Sequence, residues 1–261
     1  MRRDAAYWRT DRARSLTGYR EILEERKEAA GKPDICRSAY MKSIAIDGPA
    51  GAGKSTMARK LASELGYIYV DTGALYRATG YFVLMHGGAV RDEATVQGLL
   101  AGMKIELRFI DTEQRVYLND VDVTRKIRTE AVSMAASAVS SLPRVRAFLL
   151  AKQRDLAVTN NVVMDGRDIG TVVLPDADVK IFLTASPEDR ARRRYEELIA
   201  KGVSADYCAV LNDLQQRDYD DSHREIAPLQ PAEDAILVDT TGNEIEQSVE
   251  ILMKIVKEKL A

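Results

Sequence analysis

The segment Gly48-Pro49-Ala50-Gly51-Ala52-Gly53-Lys54-Ser55 follows the spacing G-x-x-x-x-G-K-[ST]. Glycines at these positions let a backbone wrap an anion with its N–H groups pointing inward. Lys54 adds a point charge for the outer phosphates of a nucleotide, and Ser55 adds a hydroxyl for Mg²⁺. A helix starting near Lys54 would aim its positive end at the same anion, with Thr56 in its first turn. A glycine-rich turn that binds nothing is the competing reading. It is disfavoured because an apolar strand precedes the match and a helix-compatible stretch, Ser55–Leu65, follows it.

A second set of candidates is cationic. Arg190, Arg192, Arg193 and Arg194 cluster in a charged segment, and Arg190, Arg193 and Arg194 share one helix face at i, i+3 and i+4. Arg217 follows on a returning helix. Alone, such a run reads as a solvated face. Beside a phosphate-binding loop it reads as an arginine lid over a transferring phosphoryl group, because the planar guanidinium grips phosphate oxygens bidentately.

The elements that must position these groups form a repeating pattern. Apolar runs at Ile44–Asp47, Tyr67–Asp71, Asn161–Asp165, Val179–Leu183 and Ala235–Asp239 alternate with helical stretches. Strands of this kind, buried on both faces and separated by helices, predict βαβ units and a central five-stranded parallel sheet. The expectation is a three-layer α/β fold of the P-loop NTPase type. Four of the five runs reach an Asp at their C-terminal end, the edge where open parallel sheets bind ligands. Residues 103–124 alternate apolar and polar side chains, with turn signals at Asp111 and Asn119-Asp120, and predict a small antiparallel sheet. Residues 80–145 read as an insertion, and 186–222 as a helical lid turning near Lys201-Gly202.

Residues 1–40 differ in composition, with a helix-like stretch from Tyr19 to Ala30. They read as an N-terminal extension, either a tail or translated sequence upstream of Met41, with a packed helix as the other reading. The domain proper is 41–261.

The chain has 261 residues, 46% of them hydrophobic and 30% charged, enough for a sizeable core. A net charge of −2 argues against nucleic acid or an anionic membrane as the main partner. No apolar run approaches the roughly 20 residues that span a bilayer, and Met1–Arg14 lacks the apolar stretch of a secretory signal. A cytoplasmic protein is expected, with Cys36 and Cys208 as free thiols.

Other uses of such a loop fit poorly. A guanine-reading switch needs Asn-Lys-x-Asp, and no Asn-Lys pair occurs. Asp239-Thr240-Thr241-Gly242 matches D-x-x-G far past the expected place. A motor would favour a strand ending in Asp-Glu, whereas Val162-Val163-Met164 ends in Asp165-Gly166. A small-molecule phosphotransferase remains. It needs positioning and charge neutralisation more than a base, and a phosphate acceptor is already nucleophilic near neutral pH.

At the level of longer motifs the sequence resembles bacterial cytidylate kinases, over essentially all of residues 41–261. The resemblance rests on five segments: Ile46–Thr56, Asp71-Thr72-Gly73-Ala74-Leu75-Tyr76-Arg77, Leu142-Pro143-Arg144-Val145-Arg146, Asp165-Gly166-Arg167-Asp168-Ile169-Gly170-Thr171, and Arg217–Arg224 with Ala227-Pro228-Leu229. It implies transfer of the γ-phosphate of ATP, with Mg²⁺, to CMP or dCMP by a monomer. By matching position it implies that Arg77, Arg167 and Arg224 hold the CMP phosphate and that Thr72 lies near the acceptor. Ser137, Arg146 and Asp168 would read the cytosine edge, Asp221 the ribose hydroxyls, and Asp165 the metal's water shell. A structural ion pair of Asp168 with Arg167 or Arg146, and mere packing of Ser137, are the competing readings. Tyr76 and Tyr81 read as core or wall residues without a chemical role. Kinases of AMP or UMP, and a binding module without turnover, are the rival functions.

Overall fold

The computed structural model describes residues 41–110 and 113–261. The expectations for residues 1–40, including the Tyr19–Ala30 helix and Cys36, and for the turn at Asp111, lie outside the described residues.

The chain opens with β1 (Ser43–Asp47), then the phosphate-binding loop and α1 (Lys54–Leu65). β2 (Ile68–Asp71) leads directly into α2 (Thr72–Met85), followed by α3 (Glu93–Leu100). Three short strands follow: β3 (Ile105–Ile110), β4 (Glu113–Leu118) and β5 (Val121–Asp122). After them come α4 (Glu130–Ser140) and α5 (Pro143–Thr159). β6 (Val162–Gly166), β7 (Val179–Thr184), α6 (Pro187–Ala200), α7 (Tyr207–His223), β8 (Ile236–Asp239) and α8 (Ile245–Leu260) complete the chain.

The large sheet has the order β2-β6-β1-β7-β8 and every pairing is parallel. The five strands predicted from the apolar runs are these five, to within a residue or two at each end. Alternation along each strand divides the core. Ile44, Ile46, Val163, Ile181 and Leu183 pack under α1 and α8 against Met57, Leu61, Leu252 and Val256. Ala45, Val162 and Met164 face the other side, against Ala157 of α5 and the Ile169–Leu174 turn. That is the expected three-layer arrangement, with helices covering both faces of a parallel sheet. A fully buried Leu such as Leu61 contributes roughly 2–3 kcal/mol by area removed from water.

β3, β4 and β5 form a separate antiparallel sheet. The turn expected at Asn119-Asp120 is present, with both residues at positive φ, 46° and 65°, the geometry that favours Asn and Asp. The limits of the insertion, 80 and 145, both fall inside continuous helices, α2 and α5. At Gly80, α2 crosses α4 so closely that a Cβ would lie 2.9 Å from the backbone of Ala135 and Ala136. This contact fixes the α4 face that carries Ser133 and Ser137. The hairpin of α6 and α7 turns where expected, with Gly202 at φ 73°. Ser186 caps α6 through the Asp189 N–H, and Asp206 caps α7 through the Ala209 N–H.

Candidate active site

β1 delivers the chain into the phosphate-binding loop at the C-terminal edge of the sheet. Gly48 has φ 147°, and a Cβ there would sit 1.9 Å from the Leu183 carbonyl oxygen, so only glycine passes β7 at this point. Gly51 and Gly53 also have positive φ, 75° and 82°. Lys54 is buried and its Nζ donates to the Pro49 carbonyl at 2.6 Å, inside the loop. Burial, and then the Arg167 charge, depress its pKa to about 7.

Asp165, at the end of β6, gathers three hydroxyls. Its carboxylate accepts from Ser55 Oγ at 2.8 Å and from Tyr69 Oη at 2.9 Å, and its carbonyl accepts from Thr72 Oγ1 at 2.7 Å. Burial and the nearby Asp71 carboxylate raise its pKa.

Each arginine on the α2 side of the cleft is held by a carboxylate. Asp71 caps α2 through the Ala74 N–H and accepts from Arg77 Nη2 at 2.6 Å, with Arg128 Nη2 at 2.9 Å on the same oxygen. Burial opposes the Asp71 charge, but the two guanidinium groups overcome it and hold the carboxyl below the usual range. Arg167 Nε donates to Asp221 at 2.8 Å. Arg146 and Asp168 form a buried ion pair, and Arg146 also donates to the Ser140 carbonyl at 3.2 Å. Arg224 Nη2 lies 3.7 Å from the other Asp168 oxygen and has no hydrogen bond of its own. Burial and the Arg146 charge lower the Arg224 pKa.

The arginines of the α6–α7 hairpin divide. Arg193 Nη2 reaches Asp189 at 2.6 Å and the Thr240 carbonyl at 2.7 Å, and its Nη1 lies 4.0 Å from where a Gly53 Cβ would be. Arg194 and Arg217 both face Glu130 of α4, at 3.9 and 3.1 Å. Arg190 turns inward: it is 3% exposed and donates to the carbonyls of Ala185 and Ala50, both at 2.9 Å, while pairing with Asp218 at 2.6 Å. A shared helix face therefore did not give these three arginines a shared environment.

One cleft of about 850 Å³ receives this machinery. Lys54, Ser55 and Asp165 line it, as do all the acceptor-side residues expected from the sequence, from Thr72 and Arg77 to Ser137, Arg146, Arg167, Asp168, Asp221 and Arg224. Arg193, Arg194 and Arg217 line it too, whereas Arg190 does not. The sequence profile of cytidylate kinase matches residues 44–258, which contain every one of these side chains. The chain belongs to the cytidylate kinase family. It is 49% identical to the cytidylate kinase of Leuconostoc mesenteroides over 218 residues, 84% of this chain and 97% of that one. Against the cytidylate kinase of Carboxydothermus hydrogenoformans the identity is 52% over 216 residues, 83% and 97% of the two chains. The cytidylate kinase of Geobacillus kaustophilus is 51% identical over 218 residues, 84% and 97%.

Several residues of this kinase site escaped sequence reasoning. Asp71 has a readable signal, an Asp opening a helix three residues before the Ala74 N–H it caps. Arg128 and Glu130 lie on the insertion and meet their partners only through the fold. The loop Gly242–Ile245 also lines the cleft, beside Arg193. The Asp239–Gly242 tetrapeptide at its start thus neighbours the site although its D-x-x-G pattern has no switch role here.

Proposed function

We propose that the protein transfers the γ-phosphate of ATP to CMP or dCMP, releasing ADP and CDP or dCDP. One observation carries this reading: the Arg146–Asp168 pair lines the same cleft as Lys54, with Ser137 at its wall. A carboxylate there can accept from the N4 amino group of cytosine, and a guanidinium can donate to N3 or O2. Uracil reverses the donor pattern at both positions and would leave buried groups unpaired, so UMP is rejected strongly.

The remaining side chains fit the two phosphate-bearing substrates. The backbone of Gly48–Ser55 with Thr56 cradles the donor phosphates, and Lys54 neutralises charge between the β- and γ-positions. The bonded pair of Ser55 hydroxyl and Asp165 carboxylate suits Mg²⁺, which takes few protein oxygens and keeps its waters. Bound Mg²⁺ would draw charge from the transferring phosphoryl oxygens. Arg77, Arg167 and Arg224 hold the acceptor phosphate in line, Thr72 lies beside it, and Asp221 orients Arg167 while facing the ribose hydroxyls. Arg193, Arg194 and Arg217 close over the transferring group, and Arg190 serves them by anchoring the lid to Ala50. Closure of the hairpin and the insertion excludes water that would otherwise hydrolyse ATP.

Among the described residues no helix is long and apolar enough to cross a membrane. The reading keeps the expectation of a cytoplasmic monomer.

A coupled ADP-release assay with Mg²⁺ and ATP against CMP, dCMP, UMP and AMP tests the proposal. Fast turnover with CMP and dCMP alone is expected. Turnover with AMP or UMP instead would overturn the cytosine assignments, and turnover with none would favour a binding module.

A further inference from the structure

Asp47 has no part in the reading above, yet it joins the two halves of the site. It ends β1, directly before Gly48, and is 4% exposed. Each of its carboxylate oxygens accepts one backbone N–H, Oδ1 from Ile169 at 2.8 Å and Oδ2 from Gly170 at 2.7 Å. Both N–H groups come from the two residues that follow Asp168. They open a π-helical turn, Ile169–Val173, in which Val172 and Val173 donate back to the Asp168 carbonyl. The first N–H groups of such a turn have no partner inside it, so Asp47 supplies theirs. The approach is close: a Cβ on Gly170 would lie 3.2 Å from Lys180 Cδ and 3.4 Å from Asp47 Oδ2.

The carboxylate makes no ion pair among the described residues, and burial pushes its pKa up to about 6. A buried, unpaired charge is a costly way to bind two amides if stability alone is at stake. Its geometric effect is specific. The main chain of Arg167-Asp168 is registered against the strand end that begins the donor-phosphate loop.

We propose that Asp47 is a positioning residue for acceptor recognition, aiming Asp168, and through it Arg146, at the cytosine edge. The inference rests on the acceptor reading above. Truncating one arm of the clamp leaves Asp168 in the chain but no longer fixed in depth or tilt. Selection between cytosine and uracil then weakens, while the donor site on the far side of Gly48 keeps its glycines and Lys54.

Asp47→Asn keeps one acceptor oxygen and turns an amide N–H₂ toward the second backbone N–H. The ratio of kcat/KM for CMP over UMP is expected to fall about tenfold or more, as for loss of one well-placed hydrogen bond. ATP affinity, measured by calorimetry without acceptor, stays within about twofold, a change too small to count as a lost contact. An unchanged ratio, or an equal loss of ATP affinity, overturns the proposal. Should Asp47→Asn fail to fold, Gly170→Ala displaces the same turn from the Lys180 side with Asp47 intact. It is expected to lower the same ratio and spare ATP binding, and undiminished selectivity there also overturns the proposal. In the unaltered protein the Ile169 and Gly170 amide protons should resonate downfield, as for charge-assisted bonds to carboxylate, and ordinary shifts would contradict it. An unaltered enzyme that shows no preference for CMP would instead sink the acceptor reading, and this inference with it. A selective enzyme with an equally selective variant sinks only the role of Asp47.

Discussion

The Glu130 carboxylate at the start of α4 accepts from Arg217 Nη2 of α7 at 3.1 Å, and Arg194 of α6 stands 3.9 Å from its other oxygen. An acidic residue of the insertion thus holds two lid cations that the proposed chemistry needs at a phosphate.

In the proposed closure of the hairpin on nucleotide this contact is given up. Exposed ion pairs are worth only about 0.2–1 kcal/mol. Glu130→Gln should therefore leave the melting temperature nearly unchanged and raise kcat/KM for ATP, by no more than about fivefold, at low salt. High salt should erase the difference. A fall in kcat/KM would mean that Glu130 works with the arginines in the closed state.

Lys54 carries the donor-side prediction. Its pKa is depressed to about 7 in the free protein, first by burial and then by Arg167, so it is largely neutral at pH 8. Donor phosphates favour the charged form. ATP binding at pH 8 should then take up about one proton, and less as the pH falls below 7. Calorimetry in buffers of different ionisation enthalpy measures this. Lys54→Met should abolish the uptake and cost roughly 10³-fold in turnover. Near-normal turnover would remove Lys54 from the mechanism.

Asp168→Asn tests base reading. The amide keeps one acceptor oxygen, so it can serve Arg146 or the incoming amino group but turns its N–H₂ toward the other, and one bond is lost at a buried site. A fall in kcat/KM for CMP of about 10²-fold or more is expected, with ATP affinity retained. Equal losses for both substrates would assign the Arg146–Asp168 pair to structure alone.

The metal prediction concerns Asp165. Turnover should vanish on chelation and return with Mg²⁺. Asp165→Asn removes the charge that faces the Ser55 hydroxyl and should raise the Mg²⁺ concentration for half-maximal rate about 10–100-fold. An unchanged Mg²⁺ requirement would place the metal elsewhere.

What the sequence revealed and what it hid divide along one physical line. The loop Gly48–Ser55 and the five strands were legible because their signals are local: fixed glycine spacing, and apolar runs bounded by helical stretches. Asn119-Asp120 was legible for the same reason. Arg190 was read with Arg193 and Arg194 because helix periodicity groups them. Burial then separated them, since only Arg190 points at Ala50 and Asp218. The insertion limits expected near 80 and 145 fall inside α2 and α5, where no composition change marks the middle of a helix. Asp47, Arg128 and Glu130 find partners on separate elements far along the chain, Asp47 at Ile169 and Gly170, Arg128 at Asp71 and Glu130 at Arg194 and Arg217, and nothing adjacent to them in sequence announces it.

The inward turn of Arg190 has a consequence for engineering. Its guanidinium ties the Ala50 carbonyl of the donor loop, the Ala185 carbonyl at the end of β7 and the Asp218 carboxylate of α7 into one knot. The hairpin is consequently not a detachable cap. A chimaera that exchanges it for another enzyme's hairpin must carry Arg190 and Asp218 across together, or splice distal to both. A crossover between them would leave one buried charge without its counterpart in the middle of the graft.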